Sequence, residues 1–290
     1  MKNEKISYII ESNYTIKSLK PQEKVNQNMK RDSKIRQPLV DLLIADNGKK
    51  YKYHQVQNPN NIHFTRIREM IPIYNQLDFV PKIIYNDSTS IILDYIDGEF
   101  PILTSDDFTF HYAKNLATLH NTEVIYVDLQ SYLADLFEDI DYLKNKRYIS
   151  KRENELIKKL IMSLTNIDKI KKSMIYADLT KQNFILTKDQ KLYFIDLGSF
   201  QNKIICDHFL LSSVLYSSLN QKLFKETYLS NGGDQYFINS EHFITFTSYV
   251  TRTVQQIKSL TQIEFRDFRK RRARKQNIKT QIKFIKTKLD

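Results

Sequence analysis

Glycine is scarce in this chain: 5 residues in 290, against the roughly 7% of an average protein. That scarcity excludes any glycine-rich loop wrapped around a phosphate. Tryptophan is absent and cysteine occurs once, as Cys206. No intrachain disulfide can form, which favours a reducing compartment, the cytoplasm. The opening residues MKNEKISYIIESNY carry no apolar core of the kind a secretory leader needs. The most apolar run, FLLSSVLYSSL over 209–219, is too short and too rich in serine to cross a bilayer. The expectation is a cytoplasmic protein, either free or peripheral at the inner face of a membrane.

What is present suffices for a large core. Hydrophobic residues make up 41% of the chain, with 18 Tyr and 17 Phe. The length suits one large domain, or two lobes that share a cleft. The net charge of +12 is unevenly placed. Residues 266–290 hold 11 Lys or Arg against 2 Asp, or +9, so the remainder carries only +3.

The pattern along the chain changes near residue 98. Residues 38–46 and 49–57 read as strands joined by an Asn47–Gly48 turn. Residues 61–77 have helical spacing, divided at Pro72. Residues 80–98 form a second hairpin closed at NDSTS. Beyond Gly98, helical spacing covers FTFHYAKNLATLHNT, YLADLFEDIDYLKNK, RENELIKKLIMSLTNIDKIKKS, CDHFLLSSVLYSSL and EHFITFTSYVTRTVQQIKSL, with a basic tail behind. The N-terminal segment to about Arg36 shows no assignable pattern. The domains implied are a β-rich lobe over 1–94 with one helix, a connecting hinge over 95–100, a helical lobe over 101–265 and a tail over 266–290. A cleft between such lobes is a usual place for a ligand.

The informative stretch is YADLTKQNFILTKDQKLYFIDLG, 176–198. FILT and LYFI are short strand-like runs with KDQK able to turn between them. Pairing Thr187 with Leu192 puts Phe184 opposite Ile195, and Asn183 beside Asp196 at the open end. An amide oxygen and a carboxylate there suit a hard cation such as Mg²⁺, which prefers oxygen ligands and keeps waters or phosphates in its shell. Asp178 lies five residues before Asn183, placed to act as a base beside that ion.

The order D-x4-N, hairpin, D-x-G resembles the catalytic loop and metal-binding segment of the protein-kinase-like superfamily, carried here by Asp178, Asn183, Asp196 and Gly198. Leu116, Leu119 and His120 resemble the L-x-x-L-H helix of the aminoglycoside and choline-type phosphotransferases, and about 55 residues separate that His from the catalytic loop. Asp207 resembles the Asp that opens the helix after their short metal-binding segment. IILDYIDGEFP resembles their hinge, where backbone groups near Asp94–Ile96 would meet adenine. The layout is also similar to the sugar kinases of the lipopolysaccharide core. The resemblance covers roughly residues 38–220. It implies a bilobal α+β fold, a β-rich N-lobe and a helical C-lobe. It also implies ATP and Mg²⁺ as cofactors, Asp178 as base, and Asn183 and Asp196 as metal ligands.

The sequence departs from that family at several points. The strand lysine that meets the phosphates falls near His54, where no lysine stands. Lys52, two residues earlier on the same strand face, takes its place, or a protonated His54 does. Glu69 is the candidate acidic partner, with an exposed helix carboxylate beside Arg66 and Arg68 as its plain reading. The phosphate-covering segment 25–37 has basic residues in place of glycines. Tyr176 and Ala177 stand where the family has His and Gly, and Thr180 where it has His or Lys. These losses leave a pseudokinase that binds nucleotide or a partner without transfer as the alternative to an active enzyme.

Two charged regions carry expectations about partners. Asp135, Glu138, Asp139 and Asp141 cluster where the family's inserted helices line the acceptor site; they suit a cationic acceptor, or simply form a solvated helix face. The acceptor expected is a small-molecule hydroxyl or a glycolipid sugar. In the tail, Ile278, Ile282, Ile285 and Leu289 form one helical stripe flanked by Lys279, Lys283 and Lys286. Either the stripe packs on the body, or the helix lies on an anionic membrane surface, with nucleic acid the weaker reading. His63, His111, His208 and His242 lack metal-ligand spacing and read as structural or exposed.

Overall fold

The computed structural model of the chain describes residues 2–18, 39–56, 62–164, 169–176, 178–204, 219–260 and 268–289. The expected phosphate-covering segment 25–37, Ala177, and Cys206, Asp207 and His208 with the helix expected behind them lie outside the described residues. The chain folds into two compact units, Met1–Ile102 with Thr180–Phe200 and Leu103–Leu179 with Gln201–Asp290.

In the first unit, helix α1 (Lys2–Ile9) precedes strand β1 (Tyr14–Ser18), and an antiparallel sheet follows. Strand β2 (Leu39–Ala45) turns through Gly48, whose φ of +80° L side chains rarely adopt, into β3 (Lys50–Gln55). β3 alternates as a half-buried strand should. Tyr51 and Tyr53 are buried with Ile6, Ile10, Leu43, Ala45 and Ile92, while Lys50, Lys52 and His54 take the other face. Pro72 divides the expected helix into α2 (Ile62–Glu69) and α3 (Ile71–Tyr74), where it occupies the first turn of the second piece and costs no hydrogen bond. β4 (Ile83–Asn86) and β5 (Ser90–Asp94) complete the sheet in the order β1-β2-β3-β5-β4. Asp87 fixes their turn by accepting from the Thr89 and Ser90 amides, each at 2.8 Å.

The second unit begins with α4 (Asp106–His120), capped by Ser105, whose side chain accepts from the Phe108 amide. Strand β6 (Ile125–Asp128), α5 (Leu129–Asn145), α6 (Lys151–Leu164) and β7 (Lys169–Tyr176) follow. The helix expected over 152–173 therefore stops at Leu164, and its last residues, 169–173, lie in β7. That segment pairs antiparallel with β6, Ile125 opposite Lys172 and Val127 opposite Ile170. Within that strand the buried Lys171 is satisfied by Asn121 Oδ1 at 2.9 Å and Asp234 at 3.4 Å. The hairpin strands β8 (Phe184–Leu186) and β9 (Leu192–Phe194) return to the first unit, and β10 (Phe200–Ile204) joins β7 and β6 in the order β10-β7-β6. Helices α7 (Gln221–Ser230), α8 (Gln235–Asn239), α9 (Glu241–Leu260) and α10 (Phe268–Lys286) complete the chain.

Aromatic rings build the core of this unit. Phe108 stacks on Tyr112 at 5.5 Å and Phe224 on Tyr228 at 5.9 Å. His120, the last residue of the L-x-x-L-H helix, is fully buried; its Nδ1 lies 2.8 Å from the Tyr228 hydroxyl, and its ring stands edge-on to Phe237. It is a core histidine. Of the acidic residues on α5, two are tied to lysines: Asp139 to Lys258 at 3.4 Å, and Asp141 to Lys158 at 2.9 Å and Lys144 at 3.2 Å. Asp135 and Glu138 remain exposed. In α10, Ile278 and Ile285 are buried, Phe284 stacks on Tyr249 at 4.0 Å, and Lys286 pairs with Glu153 at 2.9 Å. The tail's apolar stripe thus packs on the helical unit.

Two outcomes follow from this packing. Ile285→Ala should cost about 2–4 kcal/mol in urea denaturation, since the side chain is wholly buried and its neighbours cannot close the void. The Lys158 hydrogen bond, aided by Asn154 and Lys144, holds the Asp141 carboxyl down to about 2 from an ordinary 3.8. Its contribution is complete above the ordinary value and is lost as pH falls toward 2. Asp141→Asn should therefore lower the melting temperature at neutral pH, by an amount worth about 1 kcal/mol or less in so exposed a pair, with the deficit vanishing in acid.

Candidate active site

The hairpin of β8 and β9 carries the metal-site candidates, and its register differs from expectation by one residue. Leu186 pairs with Leu192, Ile185 with Tyr193 and Phe184 with Phe194. The cause is local. Gln190 adopts a left-handed φ of +59°, its amide donates to Thr187 O, and the Thr187 amide donates to Lys191 O. This is a three-residue loop closed by a bulge rather than a four-residue turn. Asn183 consequently faces Ile195, whose amide donates to Asn183 O at 3.0 Å, and Asp196 lies one residue beyond. The two oxygen-bearing side chains share the hairpin mouth without being directly opposed.

Short helical turns fix both residues. Asn183 ends a 3-10 turn, Lys181–Asn183, closed by its amide on Thr180 O at 2.9 Å. Asp196 caps a second, Leu197–Ser199: its Oδ1 accepts from the Gly198 amide at 3.1 Å and its Oδ2 from Ser199 Oγ at 2.6 Å. These bonds orient the carboxylate. The donor set, one amide oxygen and one carboxylate, fits Mg²⁺ completed by phosphate and water. Among the described residues no three His, Cys, Asp or Glu side chains converge as a metal cage.

Lys52 is the residue that the sheet brings to this mouth. It is half-buried on β3, its Nζ is 3.5 Å from Ile195 O, and it lies in the field of Asp196. Burial pulls its ammonium below the ordinary lysine range, while the Asp196 carboxylate acts in the opposite sense. His54 stands on the same strand face, with Val40 and Ile91 beside it in the neighbouring strands. Glu69 is exposed at the end of α2, and no ion pair joins it to Lys52. At the expected hinge, the Asp94 amide donates to Lys82 O and the Tyr95 amide to Lys50 O. Lys49 and Lys50 pair with Asp94 and Asp97 at 3.6 and 2.8 Å, and Ile96 is half-buried. In the second unit, Tyr176 is buried at the end of β7 and Asp178 is exposed on the loop that follows.

Three fasteners that sequence reading missed hold the hairpin to the sheet unit. Glu99 exchanges two backbone hydrogen bonds with Leu186, at 3.0 and 2.9 Å. The Phe194 amide donates to Phe79 O at 2.9 Å. Tyr74, buried at the end of α3, donates its hydroxyl to Leu197 O at 2.6 Å and sets its ring edge against Phe200. These bonds are why 180–200, expected within the helical lobe, belongs to the first unit. The one sequence signal was Gly98. A Cβ there would lie 2.5 Å from Leu186 O, so only glycine lets the two backbones approach.

No model of a known protein family matches the chain. The Protein LicA homolog of Mycoplasma capricolum subsp. capricolum is 27% identical over 144 residues, which span 49% of this chain and 56% of that protein. Among solved structures, the macrolide 2'-phosphotransferase MphH of Brachybacterium faecium matches with a TM-score of 0.63 at 10% identity, covering 94% of this chain and 95% of that one. Choline kinase LicA of Streptococcus pneumoniae matches at 0.56 and 16% identity, covering 97% of each chain. The ADP-bound aminoglycoside phosphotransferase APH(2'')-Ib matches at 0.53 and 15%, covering 90% and 96%. The fold is protein-kinase-like. It has the α+β composition expected, with a sheet unit and a helical unit. At these identities the likeness carries the fold, and the chemistry rests on the residues.

Gly98→Ala tests the close approach directly. It should destabilise the protein by about 1–3 kcal/mol and strip hydrogen-exchange protection from the Glu99 and Leu186 amides. Retained protection at both amides would show that the hairpin does not depend on this contact.

Proposed function

We propose that the chain transfers the γ-phosphoryl group of ATP to the hydroxyl of a small molecule. The observation that carries this is the cluster on one compact unit: a half-buried strand lysine in the field of a carboxylate, with an amide oxygen at the same hairpin mouth. Lys52 would meet the phosphate oxygens. Asn183 and Asp196 would hold Mg²⁺, which when bound neutralises phosphate charge. Asp178, at the family's spacing before Asn183, would orient the acceptor hydroxyl and take its proton. The hinge backbone at Asp94–Ile96 would receive adenine, and His54 would border the phosphates. Catalysis of this kind is chiefly positioning and electrostatic stabilisation.

For the acceptor, the solved relatives that act on choline, aminoglycosides and macrolides support a small alcohol. An amino alcohol of the choline type is the first candidate, and a sugar, free or on a glycolipid, the second. Exposed Asp135 and Glu138 suit a cationic acceptor. Such a reaction belongs in the cytoplasm, where ATP is. One observation favours a second reading, a pseudokinase that binds nucleotide without transfer: Glu69 is exposed and makes no ion pair with Lys52.

The test is ADP formation with choline, ethanolamine and amino-sugar acceptors, run beside thermal-shift titration with ATP and Mg²⁺. Asp178→Asn should cut turnover about 10²–10⁴-fold and keep the nucleotide-induced shift. Asp196→Ala should lose both turnover and the Mg²⁺-dependent part of the shift, with a stability loss of about 1 kcal/mol from the missing turn cap. Unchanged turnover in either variant overturns the enzyme assignment, and a nucleotide shift with no product from any acceptor selects the pseudokinase.

A further inference from the structure

From Phe268 to Leu289 the chain has ten Lys or Arg and no Asp or Glu. On α10 this density is unfavourable, because like charges four apart, such as Lys275 with Lys279 and Lys279 with Lys283, repel one another. The helix is held by its other side, through Ile278, Ile285 and the Phe284–Tyr249 stack. Arg272, Lys275, Lys279 and Lys283 are exposed, share one helix face and form no ion pair among the described residues. Lys286, at the edge of that face, meets an acid, Glu153. The stripe from Arg272 to Lys286 runs about 21 Å at the helical rise.

The cationic stripe borders a shallow cleft of about 350 Å³ in the helical unit, which Lys279, Lys283 and Lys286 flank and Ile278, Ile282 and Tyr148 line. Ammonium groups beside an apolar floor match a surface that presents anionic phosphates over a hydrocarbon layer. A single-stranded nucleic acid would call for aromatic rings interleaved with the cations, and among the described residues that line the cleft Tyr148 is the one aromatic. We infer that the exposed face of α10 docks this protein on an anionic phospholipid surface. The mode is adsorption by charge, with the Ile282–Tyr148 cleft meeting the interface. It is not insertion of the apolar stripe, whose central residues Ile278 and Ile285 are committed to the protein core. The inference stands apart from the phosphotransferase reading.

The experiment is sedimentation of the full chain with vesicles of phosphatidylcholine alone and of phosphatidylcholine mixed with phosphatidylglycerol, at low and high salt, with single-stranded RNA titrated separately. The expected result is binding to the anionic vesicles only, weakened by salt, and reduced about tenfold or more in the Lys279→Glu, Lys283→Glu double variant. Circular dichroism melts check that the variant is folded. Should it melt early, Lys279→Gln with Lys283→Gln should give a smaller loss in the same direction. Equal binding to neutral vesicles, unchanged binding by the charge variants, or RNA binding with none to vesicles overturns the inference.

Discussion

The Lys52 ammonium sits half-buried on a strand, near the Ile195 carbonyl and in the field of the Asp196 carboxylate. Burying an ammonium is costly unless something compensates for the water it loses. Here the compensation comes from a hairpin more than a hundred residues away in sequence, so the sheet and the hairpin are useful only together. The Glu99–Leu186 exchange, the Phe194–Phe79 bond and the Tyr74–Leu197 bond hold them in that relation. Two consequences follow. The proposed metal ligands and the strand lysine belong to one compact unit. The carboxylate is also pre-oriented, since Gly198 and Ser199 fix it before any cation arrives.

Much of this was legible in the sequence, for physical reasons that differ by element. The Asn47–Gly48 turn and the alternating KYKYHQ strand are local signals, and Pro72 divides a helix wherever it stands. The protein-kinase-like fold could be read from three polar residues spaced around a hairpin, because that spacing is set by chemistry as well as packing. The register was not legible. It turned on Gln190 taking a left-handed conformation, for which a glutamine gives no advance notice. β7 was missed because its run of Ile and Lys has the look of a helix, and only Asn121 and Asp234, far off in sequence, explain a buried Lys171. Tyr74 carried no signal at all, since its role is a hydroxyl bond to a backbone carbonyl formed only in the folded unit.

Charge in the helical unit follows a division that composition alone conceals. Three acidic side chains of α5 and α6 are paired with lysines: Asp139 with Lys258, Asp141 with Lys158 and Lys144, and Glu153 with Lys286. These pairs are partly exposed and each contributes little, so they align helices more than they stabilise them. The surplus cations collect on one face of α10, where folding gains nothing from them. A feature that works against helix stability and is still accommodated by the packing beneath it is better explained by a partner than by the fold.

The scarcity of glycine bears on how this chain would hold a nucleotide. Of five glycines, one makes the β2–β3 turn, one lets the hinge touch the hairpin, and one follows Asp196 at the proposed metal site. None falls within residues 25–37, where the family's phosphate-covering loop would stand. Backbone amides can close tightly around phosphate only where side chains do not intervene. A nucleotide held by a chain without glycines there would meet charged side chains at its phosphates, the role proposed for Lys52. Side-chain recognition of this kind depends on net charge and solvent screening more than amide cradles do. Under the proposed reading, nucleotide affinity would accordingly rest on lysines, and Lys52, two residues from the place that the resemblance implies, would carry the larger part of that dependence.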